Sequence, residues 1–272
     1  MPDETRVAES MNYDFFARTD RGRVRSNNED AVAIDRDAQL AILADGMGGY
    51  NAGEVASGMA TTFIRTEMSR WLAQAGSTPQ ATDVRRALEI CVENANHAIL
   101  GASLSNPQYA GMGTTLVAGI FQGSRLILGH IGDSRCYRLR GGVLQQITRD
   151  HSWLQEQVDA GLLTPHQAAV SSNRNLVTRA LGVEPNVLME VNEFQVAPHD
   201  LFLMCSDGLT DMVSDDDLAE MVRAALPLEE KTTLLIDTAN AHGGRDNVSV
   251  LLVQAGAGGK KRSLMSRLLG AA

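Results

Sequence analysis

The amino-acid sequence predicts an α+β fold in which two packed antiparallel β-sheets form a sandwich flanked by pairs of α-helices. Three observations support this prediction. Strand-like runs cluster along the chain, short turn-rich gaps separate neighbouring runs, and two long segments with helical spacing follow each other directly. A doubly wound parallel sheet is not favoured, because its strands and helices would alternate.

The first third of the chain predicts three strands followed by two helices. Apolar runs over about residues 13–18, 31–34 and 40–44 are typical of strands. Apolar residues then recur at helical spacing over about residues 52–73 and 82–100, and Glu54 suits a helix N-terminus.

The middle of the chain returns to strands. Runs of strand-forming residues over 114–121, 125–131, 135–139 and 143–147 are separated by gaps of three residues, which predicts antiparallel hairpins. Residues 148 to about 182 are predicted to form a polar, helical segment that lies on the surface of the domain.

The last third predicts strands over residues 190–196, 200–205 and 248–253. Helices are expected to begin at Ser214, which is followed by three acidic residues, and to lie between Pro227 and Gly243. We therefore expect one domain over residues 12–254, after a loose lead-in (1–11) and before a basic tail (255–272). A flexible tail is favoured over a short basic anchor for a membrane or partner.

Composition and cysteine content disfavour several classes of protein. The 272 residues include 24 basic and 33 acidic ones, a net charge of −9, which disfavours a nucleic-acid-binding protein. The cysteines Cys91, Cys136 and Cys205 form no CxxC pair, which indicates reduced thiols and no zinc site. With no apolar signal region and no run of about 18 apolar residues, a cytoplasmic protein without a transmembrane segment is expected.

The candidate chemistry lies in acidic residues at predicted strand ends. These residues are Glu29, Asp30, Asp45, Asp133, Asp207 and Asp246. The last four also lie within three residues of a glycine. A single such residue is more often a turn former. Several of them at one edge of a sheet sandwich would repel one another and attract cations, and hard oxygen ligands favour Mg²⁺ or Mn²⁺.

Two such ions would activate water for attack at phosphorus, and an arginine would be needed to hold the phosphate. Arg25 lies four residues before Glu29 and is the candidate. Arg21 and Arg23 are read as solvated surface cations.

Eight motifs follow one another along residues 13–254: TDRGRVRSNNED, ADGMGG, GMGTT, GDSR, TRDHS, TRALG, SDGL and GGRDNVSV. In this order and spacing they resemble the protein phosphatase 2C family of metal-dependent Ser/Thr protein phosphatases, in its compact bacterial form.

The resemblance implies a binuclear Mn²⁺ or Mg²⁺ centre and direct attack of a metal-activated water on phosphoserine or phosphothreonine. Asp45 corresponds to the bridging ligand. The resemblance assigns the other roles as follows: the Gly46 carbonyl and Glu29 on one ion, Asp207 and Asp246 on the other, Asp133 with Asp207 on a third, weaker ion, Asp30 behind the site positioning water, and Arg25 on the phosphate. Residues 148–182 correspond to the flap, a segment linked to substrate choice.

One residue departs from the pattern of many eukaryotic members. Met47 stands where they have a histidine proposed as general acid, and methionine cannot donate a proton. His151 is a candidate donor in principle, although a structural role is favoured for it.

Three functions are compared on this basis. The favoured one is a monomeric phosphatase that acts on phosphorylated proteins and opposes a bacterial Ser/Thr kinase. The alternatives are a phosphatase-like regulatory or binding module without turnover, and a metal-dependent hydrolase of small phosphate esters. Every expected ligand is present, which favours an enzyme.

Overall fold

The chain forms an α-β-β-α sandwich, as the sequence predicts. The structure is a computed structural model that describes residues 11–49, 52–76, 79–169, 171 and 176–256. The predicted lead-in over residues 1–10 and the tail over residues 257–272 lie outside the described residues. None of the described helices combines the length and apolar character that crossing a bilayer requires.

The first sheet contains five strands, and every pairing in it is antiparallel. In spatial order they are Asn12–Asp20 (β1), Val248–Gly256 (β11), Leu201–Cys205 (β10), Arg135–Arg140 (β7) and Val143–Gln146 (β8).

The second sheet is also antiparallel. Its main path runs through Asp30–Asp35 (β2), Leu40–Met47 (β3), Leu116–Gln122 (β5), Arg125–Ile131 (β6) and Glu190–Gln195 (β9). The two-residue strand Gly113–Thr114 (β4) pairs with the end of β3.

Helices cover both outer faces. The described helices are Ala52–Ala75 (α1), Ala81–Ser105 (α2), Trp153–Asp159 (α3), Pro165–Ala169 (α4), Asp207–Thr210 (α5), Asp215–Arg223 (α6) and Leu228–Ala241 (α7), with a 3-10 turn at Pro107–Tyr109. Helices α1 and α2 pack on the second sheet, and α6 and α7 pack on the first.

Three apolar layers hold the sandwich together. Between the sheets lie rings such as Phe121 and Phe202, whose centroids are 5.4 Å apart. Outside the second sheet, Ile64 of α1 and Ile42 of β3 belong to one buried cluster. Outside the first sheet, Leu235 of α7 and Leu252 of β11 belong to another. Because the central strands β3, β5 and β10 are buried on both faces, their sequences contain continuous apolar runs rather than alternating ones.

The connection between β6 and β7 corrects one prediction. The three-residue gap Gly132–Asp133–Ser134 was predicted to close a hairpin, but β6 and β7 belong to different sheets. Gly132 adopts φ 101°, and a Cβ on it would lie 2.6 Å from the Thr115 side chain. A glycine is therefore needed where the chain crosses between the layers.

The described residues of the flap segment, 148–169, 171 and 176–182, are less helical than predicted. The segment contains the short helices α3 and α4, and its two edges are fixed by bridges that pair Ser152 with Val177 and Thr114 with Leu181. A segment without an apolar stripe gains little tertiary packing, and packing supplies most of the stability of helices in proteins.

The last strand is longer than predicted. It extends through Ala255, which is buried, to Gly256, so these two residues belong to the sheet and not to a tail.

Candidate metal centre

One cavity of about 190 Å³ gathers most of the predicted site residues at one end of the sandwich. Its lining comprises Arg25, Glu29, Asp45, Gly46, Met47, Gly48, Thr115, Asp133, Val177, Asp207 and Asp246. Of the predicted set, Asp30 is not part of this lining. Residues that are up to 221 positions apart in sequence thus share one pocket.

Asp45 and Gly46 lie near the end of β3, where the backbone is fixed on both sides. The Asp45 N–H donates to Thr115 Oγ1 at 3.0 Å, and the Gly46 N–H donates to the Glu29 carbonyl at 3.1 Å. A Cβ on Gly46 would overlap the Gly53 carbonyl oxygen and lie 2.5 Å from the Glu29 carbonyl oxygen. Glycine therefore lets the end of β3 approach both α1 and the loop before β2.

Glu29 is held in place by a residue from the opposite end of the chain. The Asn247 side chain accepts a 2.8 Å hydrogen bond from the Glu29 N–H. Its amide donates to the carbonyls of Arg21 and Asn27, at 2.9 and 2.8 Å. Asn247 thus fixes the loop that carries Arg25 and Glu29 to the start of β11.

Asp207 and Asp246 come together because α5 begins directly against the loop before β11. Asp207 is the first residue of α5, and Asp246 lies two residues before β11. A Cβ on Gly208 would overlap the Asn247 carbonyl oxygen. The close backbone contact at Gly208 therefore brings the two carboxylates to the same side of the cavity.

Asp30 lies behind the cavity and pairs with Asp45 across β2 and β3. It is 8% exposed, Ser206 Oγ donates to its Oδ2 at 2.8 Å, and its Oδ1 has no hydrogen-bond partner among the described residues. Burial raises the pKa of Asp30 to about 6, although the nearby hydroxyl groups of Ser249 and Ser206 oppose the shift.

Asp133 approaches from the connection between β6 and β7 and is 8% exposed. Burial, followed by the charge of Asp150, raises its pKa to about 6. The connection is anchored where Thr115 Oγ1 and Ser134 Oγ lie 2.8 Å apart.

The carboxylates perturb one another strongly. Desolvation and then the charges of Asp30 and Asp207 raise the pKa of Asp45 well above its ordinary value. Desolvation and then the charges of Asp133 and Asp246 do the same for Asp207. Neighbouring like charges that are partly removed from water favour protonation or the binding of a cation.

The donor set fits divalent cations. The cavity offers carboxylate and carbonyl oxygens, which are the ligands that Mg²⁺ and Mn²⁺ prefer. No three of these described carboxylates have oxygens all within 4.8 Å of one another.

Arg25 supplies a positive charge at the edge of the carboxylates. Its Nη2 donates to Asp246 Oδ2 at 2.7 Å. Desolvation would lower the pKa of Arg25, but the charge of Asp246 and the hydrogen bond to it more than offset this effect and raise it.

Neither Met47 nor His151 provides a proton donor in this cavity. Met47 lines the cavity with a thioether, and His151 is not part of the lining. His151 Nδ1 accepts a 3.1 Å hydrogen bond from the Gly132 N–H, and its Nε2 lies 3.6 Å from Glu190 Oε2. These contacts support a structural role for His151.

Sequence reasoning missed the residues that fix the site. Asn247, Thr115 and Ser134 orient ligand-bearing loops through hydrogen bonds. Val177 of the flap lines the cavity. Asn247 stands beside Asp246 in GGRDNVSV and Thr115 ends GMGTT, so both lie in quoted motifs, but only the fold reveals their partners.

Comparisons with known proteins identify the family of the chain. A profile of the protein phosphatase 2C family matches residues 19–242. The serine/threonine phosphatase stp of Listeria monocytogenes serotype 4b is 39% identical over 240 residues, which cover 87% of this chain and 94% of the relative. The serine/threonine protein phosphatase PstP of Mycobacterium tuberculosis is 42% identical over 241 residues, or 88% of this chain and 44% of that longer protein.

The fold agrees with a solved structure at similar identity. The catalytic domain of the phosphatase PstP, in complex with two manganese ions, matches with a TM-score of 0.80 at 39% identity. The match covers 91% of this chain and 100% of that one. The chain therefore belongs to the protein phosphatase 2C family, the metal-dependent serine/threonine protein phosphatases.

Proposed function

We propose that the chain removes phosphate from phosphoserine and phosphothreonine in proteins at a binuclear centre of Mn²⁺ or Mg²⁺. The observation that carries this proposal is the meeting of Glu29, Asp45, Asp207 and Asp246 in one cavity beside Arg25. The raised pKa values of Asp45 and Asp207 support it, because bound cations would relieve the repulsion.

Each cavity residue then has a proposed role. Asp45 would be shared by both ions. The remaining ligands would be the Gly46 carbonyl and Glu29 on one ion, Asp207 and Asp246 on the other, and Asp133 with Asp207 on a third, weaker ion. When bound, two divalent ions supply an activated water and stabilise an in-line displacement at phosphorus.

The chain's own residues bind and orient the substrate. The guanidinium of Arg25 presents a fork of donors that matches phosphate oxygens. Asp30, held by Ser206 at the back of the site, would position the attacking water. No cysteine lines the cavity in the described part of the chain, so a cysteine nucleophile is not favoured.

We further propose a monomer that acts in the cytoplasm against the products of a bacterial Ser/Thr kinase. The three cysteines are buried and free, which suits a reducing compartment. The domain proposed for this activity spans residues 12–256, because β11 ends at Gly256. Size-exclusion chromatography with light scattering tests the monomer, and the phosphoproteome of a deletion strain tests the substrates.

Asp45→Asn and Asp207→Ala test the site. Both variants are expected to keep the circular dichroism spectrum of the wild type and to lose turnover of p-nitrophenyl phosphate with Mn²⁺. Calorimetric titration with Mn²⁺ should show fewer ions bound. Turnover at the wild-type rate in either folded variant would reject the assignment.

The two alternative functions give different results in the same assays. A regulatory module would show no Mn²⁺-dependent turnover, so the addition of EDTA would change nothing. A hydrolase of small esters would prefer phosphorylated metabolites to phosphopeptides in kcat/KM.

A further inference from the structure

A second, larger cavity opens directly beside the metal site. Its volume is about 420 Å³, and it shares Asp133 and Asp207 with the first cavity. A substrate whose phosphate occupies the first cavity therefore has neighbouring residues within reach of the second.

The second cavity is strongly acidic. Its described lining carries five carboxylates and one guanidinium: Asp133, Asp150, Asp207, Asp211, Asp215 and Arg135. Asp133 and Asp207 are proposed metal ligands, and Arg135 neutralises Asp150 through a fork of hydrogen bonds at 2.9 and 2.7 Å. No side chain in the described part of the chain donates a hydrogen bond to Asp133, which is nine-tenths buried.

Asp215 is held in a fixed orientation at this cavity. Arg135 Nη1 donates to the Tyr137 hydroxyl at 3.1 Å, and that hydroxyl donates to Asp215 Oδ1 at 3.0 Å. Asp215 takes part in none of the ion pairs found among the described residues. Its negative charge is therefore oriented without a paired cation.

Part of the lining of this cavity is apolar. Leu154 and Val158 of α3 and Val213 before α6 contribute to its lining. A wall of this kind suits a long aliphatic stem, and the carboxylates suit a positively charged end group. Lysine and arginine combine these two properties.

We propose that this cavity binds a basic side chain of the phosphoprotein substrate, and that Asp215 is the residue that selects it. The selected lysine or arginine lies within about three positions of the phosphorylated residue, because the cavities are adjacent and an extended chain advances about 3.3 Å per residue. This inference rests on the proposed function and adds a substrate preference to it.

Paired phosphopeptides test the inference. Each pair carries arginine or its neutral isostere citrulline at one position on either side of a phosphothreonine. The readout is the ratio of kcat/KM for the arginine peptide to that for the citrulline peptide, measured with saturating Mn²⁺ at low salt. The variants are Asp215→Asn and, as a matched control, Asp216→Asn, which makes the same charge change on the same helical turn outside the cavity lining.

In the wild type we expect a ratio of up to about fivefold at one or two positions, since Asp215 is exposed and a pair with an exposed carboxylate contributes up to about 1 kcal/mol. Asp215→Asn should bring the ratio close to one, and Asp216→Asn should keep the wild-type ratio. The ratio should also fall as salt is added.

Two results would overturn the inference: ratios near one at every position in the wild type, or equal ratios in Asp215→Asn and the wild type. Neither result affects the proposed function, which is measured by wild-type turnover of the citrulline peptides and p-nitrophenyl phosphate. If the wild type turned over no substrate, the proposed function would fail and this inference with it.

Discussion

Arg25 and Asp246 are joined by a 2.7 Å hydrogen bond between Nη2 and Oδ2, although 221 positions separate them in sequence. The pair links the arginine proposed to hold phosphate with a carboxylate proposed to hold a metal ion. A phosphate would therefore compete with Asp246 for Arg25, and a metal ion would compete with Arg25 for Asp246. This coupling makes Arg25 the most direct probe of substrate binding.

Replacing Arg25 should weaken catalysis on small and large substrates alike. We expect Arg25→Ala to lower kcat/KM for p-nitrophenyl phosphate by roughly 100-fold, because one charge-stabilising donor group is lost. Arg25→Lys should recover part of this loss, since lysine keeps the charge without the fork. Steady-state kinetics with Mn²⁺ measures both effects.

Arg21 provides the control, because it is exposed and donates a 3.4 Å hydrogen bond to the Ser26 carbonyl. Arg21→Ala should change kcat/KM by less than about twofold. Wild-type kinetics in Arg25→Ala would contradict the phosphate-binding role.

Asp45 should make the metal-free protein less stable at neutral pH. Its pKa is raised on folding by desolvation and by its carboxylate neighbours. A raised carboxyl pKa stabilises the folded state below the unfolded-chain value of about 3.9, and that contribution is lost as the pH rises through the folded-state pKa. Metal-free Asp45→Asn should therefore be more stable than metal-free wild type at about pH 7.5, by on the order of 1 kcal/mol.

The difference between the two proteins should shrink as the pH is lowered towards about 4, where the wild-type carboxyl is protonated. Urea unfolding in EDTA over this range measures it, and titrating groups that do not interact with Asp45 cancel in the comparison. Added Mn²⁺ should reverse the order by stabilising the wild type more. A stability difference that grows on acidification would contradict a raised pKa of Asp45 in the folded state.

Gly46 should tolerate no side chain. Its Cβ would clash with the carbonyl oxygens of Gly53 and Glu29, so β3, α1 or the Glu29 loop would have to shift. We expect Gly46→Ala to lower the free energy of unfolding by about 2–3 kcal/mol and to abolish activity. Chemical denaturation and the p-nitrophenyl phosphate assay report the two effects.

Gly49→Ala is the matched control three residues further on, because a Cβ there would meet nothing within 4 Å. Its stability and activity should stay close to those of the wild type. Equal effects of the two substitutions would rule out steric crowding as the reason for glycine at position 46.

Asp200 should be one of the most important charged residues for stability. It is 1% exposed, accepts hydrogen bonds from Arg140 at 2.8 and 2.6 Å, and accepts a third from the Ala197 N–H at 2.8 Å. Asp200→Ala leaves these donors without their acceptor and should cost about 2 kcal/mol, because the buried hydrogen bonds are lost while the 41% exposed Arg140 side chain can be hydrated. Thermal unfolding of the metal-loaded protein measures the loss.

The exposed ion pair of Arg85 with Glu89 on α2 serves for comparison, with a 3.0 Å hydrogen bond. Arg85→Ala should cost less than about 0.5 kcal/mol. Similar costs for the two substitutions would contradict the importance assigned to burial.

Much of the fold could be predicted because its signals are local. The apolar run of β3 and the glycines after Asp45 indicate a buried strand that ends at a turn, and Ser214 caps α6 with a 3.3 Å bond from the Asp217 N–H. The acids at strand ends were also visible, since each lies beside its own strand. These features depend on neighbours within a few residues, which the sequence displays directly.

The errors concern contacts that depend on distant residues. The connection at Gly132–Asp133–Ser134 crosses between sheets, and short gaps alone do not distinguish a crossing from a hairpin. The flap segment was expected to be more helical than it is, because propensity does not report what a helix would pack against. The role of Asn247 was missed because its partners lie about 220 residues away.

The sequence alone determined the elements, their order and the oxygen-rich chemistry of the candidate site, because strand period, turn residues and side-chain type are local properties. Only the tertiary structure decided that Asp30 lies behind Asp45, that Arg25 pairs with Asp246, and that an acidic cavity adjoins the metal site. These relationships arise from the packing of two sheets, which brings together residues from both ends of the chain. Their energies depend on burial and mutual distance, which are properties of the folded chain.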